Sequence, residues 1–340
     1  MTIKESKYGV PGPRAYTDEW YGLRVMEDGR EPAFVIGASD ASIVAGLSSY
    51  QTALDLYLEK RGLRAPKGEN TAMEWGKRLE EPILKKYAEY VGVDWCAGQH
   101  MLHDRRQPFI VCTPDAFAWD VNTPEDVWLV EAKTSSHWMY SEEADRTDNM
   151  FGPGVDEVPK EYIVQAQVQM MVTGLSRVDI PVLFDGREFR CYTVHANELL
   201  IGHIRKEIVQ FYNDVCNATP PRPDFEHPNT VGTLKALYEP DPTASITMTN
   251  DMADEAEEYL KLKDRIRAME VARDIIQAKF IDVMKDAAVG YIEGSPLVIK
   301  RTQVCDTLWQ QKDIDKAVES LGKVKRQGYQ RFTVGQKKAR

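Results

Sequence analysis

Residues 108–134 read PFIVCTPDAFAWDVNTPEDVWLVEAKT. Two runs rich in β-branched and aromatic residues, PFIVCTPDAFAWD and VWLVEAKT, are separated by the turn-forming DVNTPED, and the stretch predicts two paired strands. In the second run Glu131 and Lys133 are two residues apart and project from one face, while Ala132 points the other way, into the core. VWLV is apolar on both faces, which fits a central strand. Charges at the end of such a strand are costly unless they are paired or bound to metal. In the first run Asp115 follows a proline that disrupts regular pairing. A carboxylate from each segment can converge on one hard cation of the Mg²⁺ type, with Lys133 beside it to meet a scissile phosphate and the attacking water. Phosphodiester hydrolysis needs those parts. By itself the D…[DE]xK pattern is weak, because acidic and basic residues alternate on many solvated strands.

Toward the N-terminus, FVIGASDASIVAGL (34–47) predicts a short strand and a helix start capped by Ser39 or Asp40. TALDLYLEKRG (52–62) predicts a second helix closed by Lys60, Arg61 and Gly62. AMEWGKRLEEPILKKYAEYVG (72–92) places Leu79, Ile83, Leu84, Tyr87 and Val91 at helical spacing. Toward the C-terminus come a polar loop over 141–158, a helix in EYIVQAQVQMMVTG (161–174), a hairpin turning at Asp185-Gly186, and a helix from about 198 to 215. The proline-rich ATPPRPDFEHP (218–228) reads as the start of a linker. The expected organisation is a core domain over 1–225, a linker over 226–250 and an extension over 251–340. The extension opens with a long charged helix. Tyr259, Leu262, Ile266, Met269, Ile276, Phe280 and Val283 form an apolar seam on it, interrupted by Arg273. Such a seam reads as packing on its own domain or on a partner helix. Short strands and a basic tail complete the extension.

The bulk numbers narrow the class. With 340 residues, 43% hydrophobic and 28% charged, the chain reads as a globular protein with room for one large domain or two modest ones. MTIKESKYGV has no signal-peptide core, and no apolar run reaches a membrane span. Five cysteines without a CxxC spacing argue for a reducing cytoplasm and against a zinc or iron–sulfur site. The net charge of −10 works against nucleic-acid binding in general. Residues 321–340, however, hold seven basic residues and no acidic one, and a metal-recruiting centre itself needs carboxylates. No glycine-rich phosphate loop or nucleophile motif is present, and His100 and His103 lack a ligand pattern.

With Pro114-Asp115 and Glu131-Ala132-Lys133 as the name-giving residues, the chain resembles the PD-(D/E)xK nuclease superfamily. More narrowly it resembles the phage-type exonucleases of the YqaJ-like recombinase group, which includes lambda exonuclease. IGASDASIVAGLSSY matches that group's N-terminal serine motif, EWGKRLEEPILKKY its GxxxE helix, and PKEYIVQAQVQMMVTG its glutamine-bearing helix. These fall in the family's order over about residues 34–215. The resemblance implies an α/β fold: a restriction-endonuclease-like core, with a central mixed sheet flanked by helices, and a helical and β C-terminal extension. It also implies a Mg²⁺- or Mn²⁺-dependent deoxyribonuclease, with 5′-to-3′ polarity expected, that degrades linear duplex DNA from its ends to expose single strands for recombination.

In that reading Asp115, Glu131 and Glu80 hold metal, Lys133 positions or activates water, and Gln165 completes the site. Glu81 adjoins Glu80, and Gln167 and Gln169 adjoin Gln165, so which of each faces inward stays open. Ser39 corresponds to the family's terminal-phosphate serine, and a hydroxyl at a helix N-terminus suits an anion, although a simple N-cap fits it as well. Arg30 and Lys60 are the accompanying candidates for phosphate contact. The resemblance further implies DNA ends and a single-strand annealing protein as partners, homo-oligomers, no membrane, and a place in a host cytoplasm. Two rivals remain: a Cas4- or RecB-like single-strand nuclease, whose usual four-cysteine spacing is missing here, and a non-catalytic DNA-end binding module.

Overall fold

The computed structural model describes residues 4–65, 68, 70–141, 149–294 and 297–301. In chain order the named elements begin with β1 (Val10–Arg14), α1 (Asp18–Gly22), β2 (Ile36–Gly37), α2 (Ala38–Val44), α3 (Ala53–Lys60) and α4 (Thr71–Val91). Next come β3 (Asp94–Ala97), β4 (His100–His103), β5 (Ile110–Cys112), β6 (Ala116–Trp119), β7 (Val127–Val130) and β8 (Lys133–Ser135). The series ends with α5 (Lys160–Thr173), β9 (Arg177–Phe184), β10 (Glu188–His195), α6 (Glu198–Cys216), α7 (Thr230–Leu237), α8 (Asp251–Met284), β11 (Val289–Tyr291) and β12 (Val298–Lys300).

Each of the two runs expected as a single strand in 108–134 is split, the first into β5 and β6, which lie in different sheets, and the second into β7 and β8. β6 and β7 form an antiparallel pair, Ala116 opposite Val130 and Trp119 opposite Val127. They sit centrally in a mixed sheet ordered β10-β9-β7-β6-β3, in which β7 runs parallel to β9. Every residue of β6 and β7 is buried. Alternation divides them between two faces. Phe117, Trp119, Val127 and Leu129 join the main core with residues of α2, α3, α5 and α6. Ala116, Ala118, Trp128 and Val130 meet Leu84 and Tyr87 of α4. A second sheet, β1-β4-β5-β2, carries the start of α2. The hairpin turns as expected, with Asp185 at φ 47° and Gly186 at φ 69° linking β9 to β10.

The proline-rich segment does not open a linker. Beyond it α7 buries Thr230 and Thr233, and Thr233 Oγ1 donates to the buried Asp55 carboxylate of α3. Asn229 Nδ2 donates to the Tyr50 carbonyl at 2.5 Å. These bonds tie the segment to the α3 region, so the first compact unit runs to Tyr238, not to 225. The second unit spans 239–340 and contains α8 and the antiparallel hairpin β11–β12. The basic tail and Cys305 lie outside the described residues. Among the described residues no helix is long and apolar enough to cross a membrane.

Lys60, expected at a helix end facing phosphate, points into the core instead. Its ammonium donates to Asp40 Oδ2 at 2.7 Å and to the Val35 carbonyl at 2.9 Å, and the residue is 3% exposed. Burial alone would push the Asp40 carboxyl up, but Lys60 and Arg24 hold it well below the usual carboxylate range. Removing the cation strands a buried carboxylate. Lys60→Met is expected to lower unfolding stability by about 3–5 kcal/mol, with Lys60→Met/Asp40→Leu recovering much of the loss, as read from urea denaturation.

Candidate active site

The site grows from the end of the β6–β7 ladder. Carrying its register one residue past Ala116–Val130 sets Asp115 opposite Glu131 on the face that looks toward α5. β8 pairs with β9 at the same offset as β7, so Lys133 continues that face. Regular pairing lapses at Ala132, whose amide donates to Asp115 Oδ2 at 2.8 Å. Asp115 is therefore anchored by the backbone of the strand that carries Glu131 and Lys133.

Glu131 is a hub. Its Oε1 accepts from Lys133 Nζ at 2.7 Å and Gln165 Nε2 at 2.5 Å, and its Oε2 accepts from Gln169 Nε2 at 2.6 Å. Lys133 also donates to Gln165 Oε1 at 3.2 Å and lies 5.1 Å from the centre of the Tyr162 ring. On a helix Gln165 and Gln169 share a face, one turn apart. Gln167 looks elsewhere, accepting from the Asn197 amide and donating to the His195 carbonyl. The i,i+4 spacing was the signal in the sequence that points to Gln169 as well as Gln165.

Glu80 lies one and two turns before Leu84 and Tyr87, which hold α4 against the sheet, and it is half-buried. Glu81 is exposed and pairs with Lys85 at 2.7 Å. The doubled acid thus resolves to Glu80. Burial first, then the charge of Glu131, pushes the Glu80 carboxyl up. Burial, Glu131 and Glu80 push Asp115 well above the usual carboxylate range. Burial would lower the Lys133 ammonium, but Glu131 and Asp115 hold it well above its ordinary value, so it stays charged. Three carboxylates thus surround one ammonium, and the centre is short of positive charge. Among the described residues no group of three or more histidine, cysteine, aspartate or glutamate side chains is placed to hold a metal ion. Asp115, Glu131 and Glu80 nevertheless supply oxygens of the kind a hard cation takes, and Gln169 Oε1 is buried without a hydrogen-bond partner.

The phosphate candidates separate. Ser39 is exposed in the first turn of α2. It is not the N-cap, which is Gly37, whose amide donates to Asp40 Oδ2 at 3.0 Å. Asp40's own carboxylate therefore occupies that helix end. Arg30 does not reach the site. Its guanidinium donates to the carbonyls of Val25 (2.6 Å), Ala33 (2.8 Å) and Gly22 (3.2 Å), clamping a turn. The arginine beside Ser39 is Arg24. Its Nη2 and Ser39 Oγ both lie 3.8 Å from where a Cβ on Gly37 would stand, and Arg24 also bonds Asp40 at 3.1 Å. Nothing in the local pattern distinguished Arg24 from Arg30.

Tyr16 was also not visible in the sequence. It sits at φ 63°, a costly conformation for an aromatic residue. Lys77 lies 4.8 Å from its ring centre. The residue is 51% exposed; partial burial of its phenol, then the charges of Glu80, Asp115 and Glu131, push it above the usual tyrosine range.

Residues 19–176 match the family model described as the YqaJ-like viral recombinase domain. The chain is 25% identical over 296 residues to an uncharacterized protein, YqaJ, of Bacillus subtilis (strain 168), covering 86% of each. Among solved structures it is similar to an alkaline exonuclease from Laribacter hongkongensis, at 22% identity and TM-score 0.44, covering 60% of this chain and 94% of that one. It is also similar to a phage-related exonuclease from Haemophilus somnus 129PT, at 15% identity and TM-score 0.41, covering 54% and 96%.

Gly98 guards the position of Asp115. Its amide donates to the Asp115 carbonyl at 2.9 Å, and an added Cβ would stand 2.0 Å from the Pro114 carbonyl oxygen. Gly98→Ala must therefore push the Pro114–Asp115 backbone aside. A stability loss of about 1–3 kcal/mol is expected, as a lower urea midpoint relative to Gly92→Asn, which keeps a left-handed cap at an open position.

Proposed function

We infer, from the premise that residues 19–176 of this chain are a YqaJ-like viral recombinase domain, that the protein is a divalent-cation-dependent exonuclease acting on the ends of linear duplex DNA. The observation that carries this reading is the convergence of Asp115, Glu131 and Lys133 on one face beyond the β6–β7 ladder, with Glu80 and Gln165 closing on them. Mg²⁺ or Mn²⁺, held by Asp115, Glu131 and Glu80, would acidify a water and offset charge developing on the phosphate.

The chain's own groups account for the rest. Lys133, whose ammonium donates to Glu131 at 2.7 Å, would hold the attacked phosphate and position or activate the incoming water. Gln165 and Gln169 fix both oxygens of Glu131, which orients that carboxylate without neutralising it. Ser39 and Arg24, in place of Arg30 and Lys60, are positioned to hold a terminal phosphate. A guanidinium also stacked on the Trp20 ring at 4.9 Å is restrained before any ligand arrives. Degradation with 5′-to-3′ polarity, and delivery of the exposed strand to a single-strand annealing protein, complete the proposal.

Linear 5′-phosphorylated duplex is expected to disappear in Mg²⁺ while circular duplex survives, with EDTA stopping the reaction. Lys133→Ala should lower kcat by about 10²–10³-fold, the scale of losing one transition-state donor. Wild type leaving both substrates intact in Mg²⁺ and Mn²⁺ would instead favour a non-catalytic DNA-end binding module. The phosphate assignment has its own check in KM for 5′-phosphorylated ends. Arg24→Ala should raise it by about tenfold, whereas Arg30→Ala should lower thermal stability and leave KM near the wild-type value.

A further inference from the structure

Glu80 stands on a helix whose own packing begins after it. α4 buries only Ile83, Leu84 and Tyr87, all C-terminal to Glu80. Pro82 lies between Glu80 and most of that packed half, and a proline supplies no amide to the carbonyl of Arg78, four residues back. The place of Glu80 relative to Glu131 is therefore set by how the C-terminal half of α4 is fastened to the sheet. Apolar contact is non-directional and leaves a helix able to slide or turn. A hydrogen bond, with its narrow range of angle, does not.

The directional fastening is Tyr87, which is buried and whose hydroxyl meets two strands at once. It donates to Asp179 Oδ2 of β9 at 2.5 Å and accepts from Trp128 Nε1 of β7 at 2.8 Å. Burial, then the Asp179 charge, push the phenol well above the usual tyrosine range, so it remains a donor. Asp179 is itself held from three further directions. Arg177 Nε donates to its Oδ1 at 2.8 Å, Arg177 Nη2 to its Oδ2 at 2.6 Å, and Thr193 Oγ1 to its Oδ1 at 2.8 Å. On the backbone side the Asp179 carbonyl accepts from the Glu131 amide at 2.9 Å. One residue of β9 thus binds α4 through its side chain and Glu131 through its main chain. Along α4, Tyr87 and Glu80 are seven residues apart, about two turns on nearly one face.

We propose that the Tyr87–Asp179 link is a positioning device for the active site: it fixes the rotation and height of α4 on the sheet, and with them the distance from Glu80 to Glu131. Both residues act through the two acids. The inference rests on the reading of Asp115, Glu131 and Glu80 as the divalent-cation site. Without the link, Ile83 and Leu84 keep α4 packed, but Glu80 is free to draw away from Glu131, the direction in which like charges push it. The site then takes a cation less tightly.

The test compares two hydroxyls that serve the same carboxylate. Tyr87→Phe removes the bond from α4, and Thr193→Val removes one from β10. Each should lower the urea midpoint. In the DNA-free full chain, Tyr87→Phe should weaken Mn²⁺ binding by about tenfold, read by electron paramagnetic resonance, while Thr193→Val binds as wild type does. Trp128→Phe cuts one of the two ties and strands no donor. It should fall between them, and it decides the question alone if circular dichroism shows Tyr87→Phe unfolded. The Mn²⁺ concentration giving half the maximal rate on linear duplex should move in the same order, with KM for DNA unchanged. Crystal structures of the metal-free variants should place Glu80 farther from Glu131 in Tyr87→Phe than in Thr193→Val. Equal Mn²⁺ affinity in the two variants, or an unmoved Glu80, overturns the proposal and leaves the functional reading intact. A wild type that takes up no Mn²⁺ overturns both.

Discussion

Asp115 and Glu131 face each other one step beyond the last regular pair of β6 and β7. Two carboxylates so placed repel, and burial makes the repulsion stronger. The architecture around them keeps both in position despite that. The Ala132 amide holds Asp115, and Lys133 with two glutamines holds Glu131. A third acid, Glu80, adds to the strain instead of relieving it. The result is a cluster with more carboxylates than cations, an excess that the proposed divalent cation would offset.

Holding such a cluster requires stability from elsewhere. β6 and β7 are covered on both faces, by the α5 side of the core and by Leu84 and Tyr87 of α4. α5 supplies core residues along most of its surface and presents only Gln165 and Gln169 to Glu131. α4 buries only Ile83, Leu84 and Tyr87 and carries Glu80 about one turn before the first two. Each functional side chain therefore stands on an element whose apolar residues are already packed, which limits how far the like charges can push one another apart. The Asp40–Lys60 pair serves α2 in a comparable way, since it ties the start of that helix to the end of α3 and to the Val35 carbonyl. Ser39 and Arg24 are presented beside that locked pair.

Much of this was legible in the chain. Runs of β-branched and aromatic residues on either side of the turn-forming DVNTPED defined the central strands, and strand geometry, which fixes side-chain direction locally, put Glu131 and Lys133 on one face. The ordered motifs identified Asp115, Glu80 and Gln165 as residues to watch, and helical spacing reported the α8 seam. What a strand or helix decides within its own few residues can be read from sequence. Tertiary structure decided the rest. Glu80 was separated from Glu81 by which side of α4 meets the sheet. Lys60 turned inward because Asp40, twenty residues away, needed a buried counter-ion. Arg30 is consumed by the carbonyls of a turn, and Arg24 is the arginine that lies beside Ser39. The boundary moved from 225 to Tyr238 because Asp55 bonds Thr233 across 178 residues of chain. Apart from Arg30, whose carbonyl partners lie within eight residues, the deciding partner lies far off in sequence, and the energy that selects it, burial of a charge or of an unpaired polar group, exists only after the chain has folded.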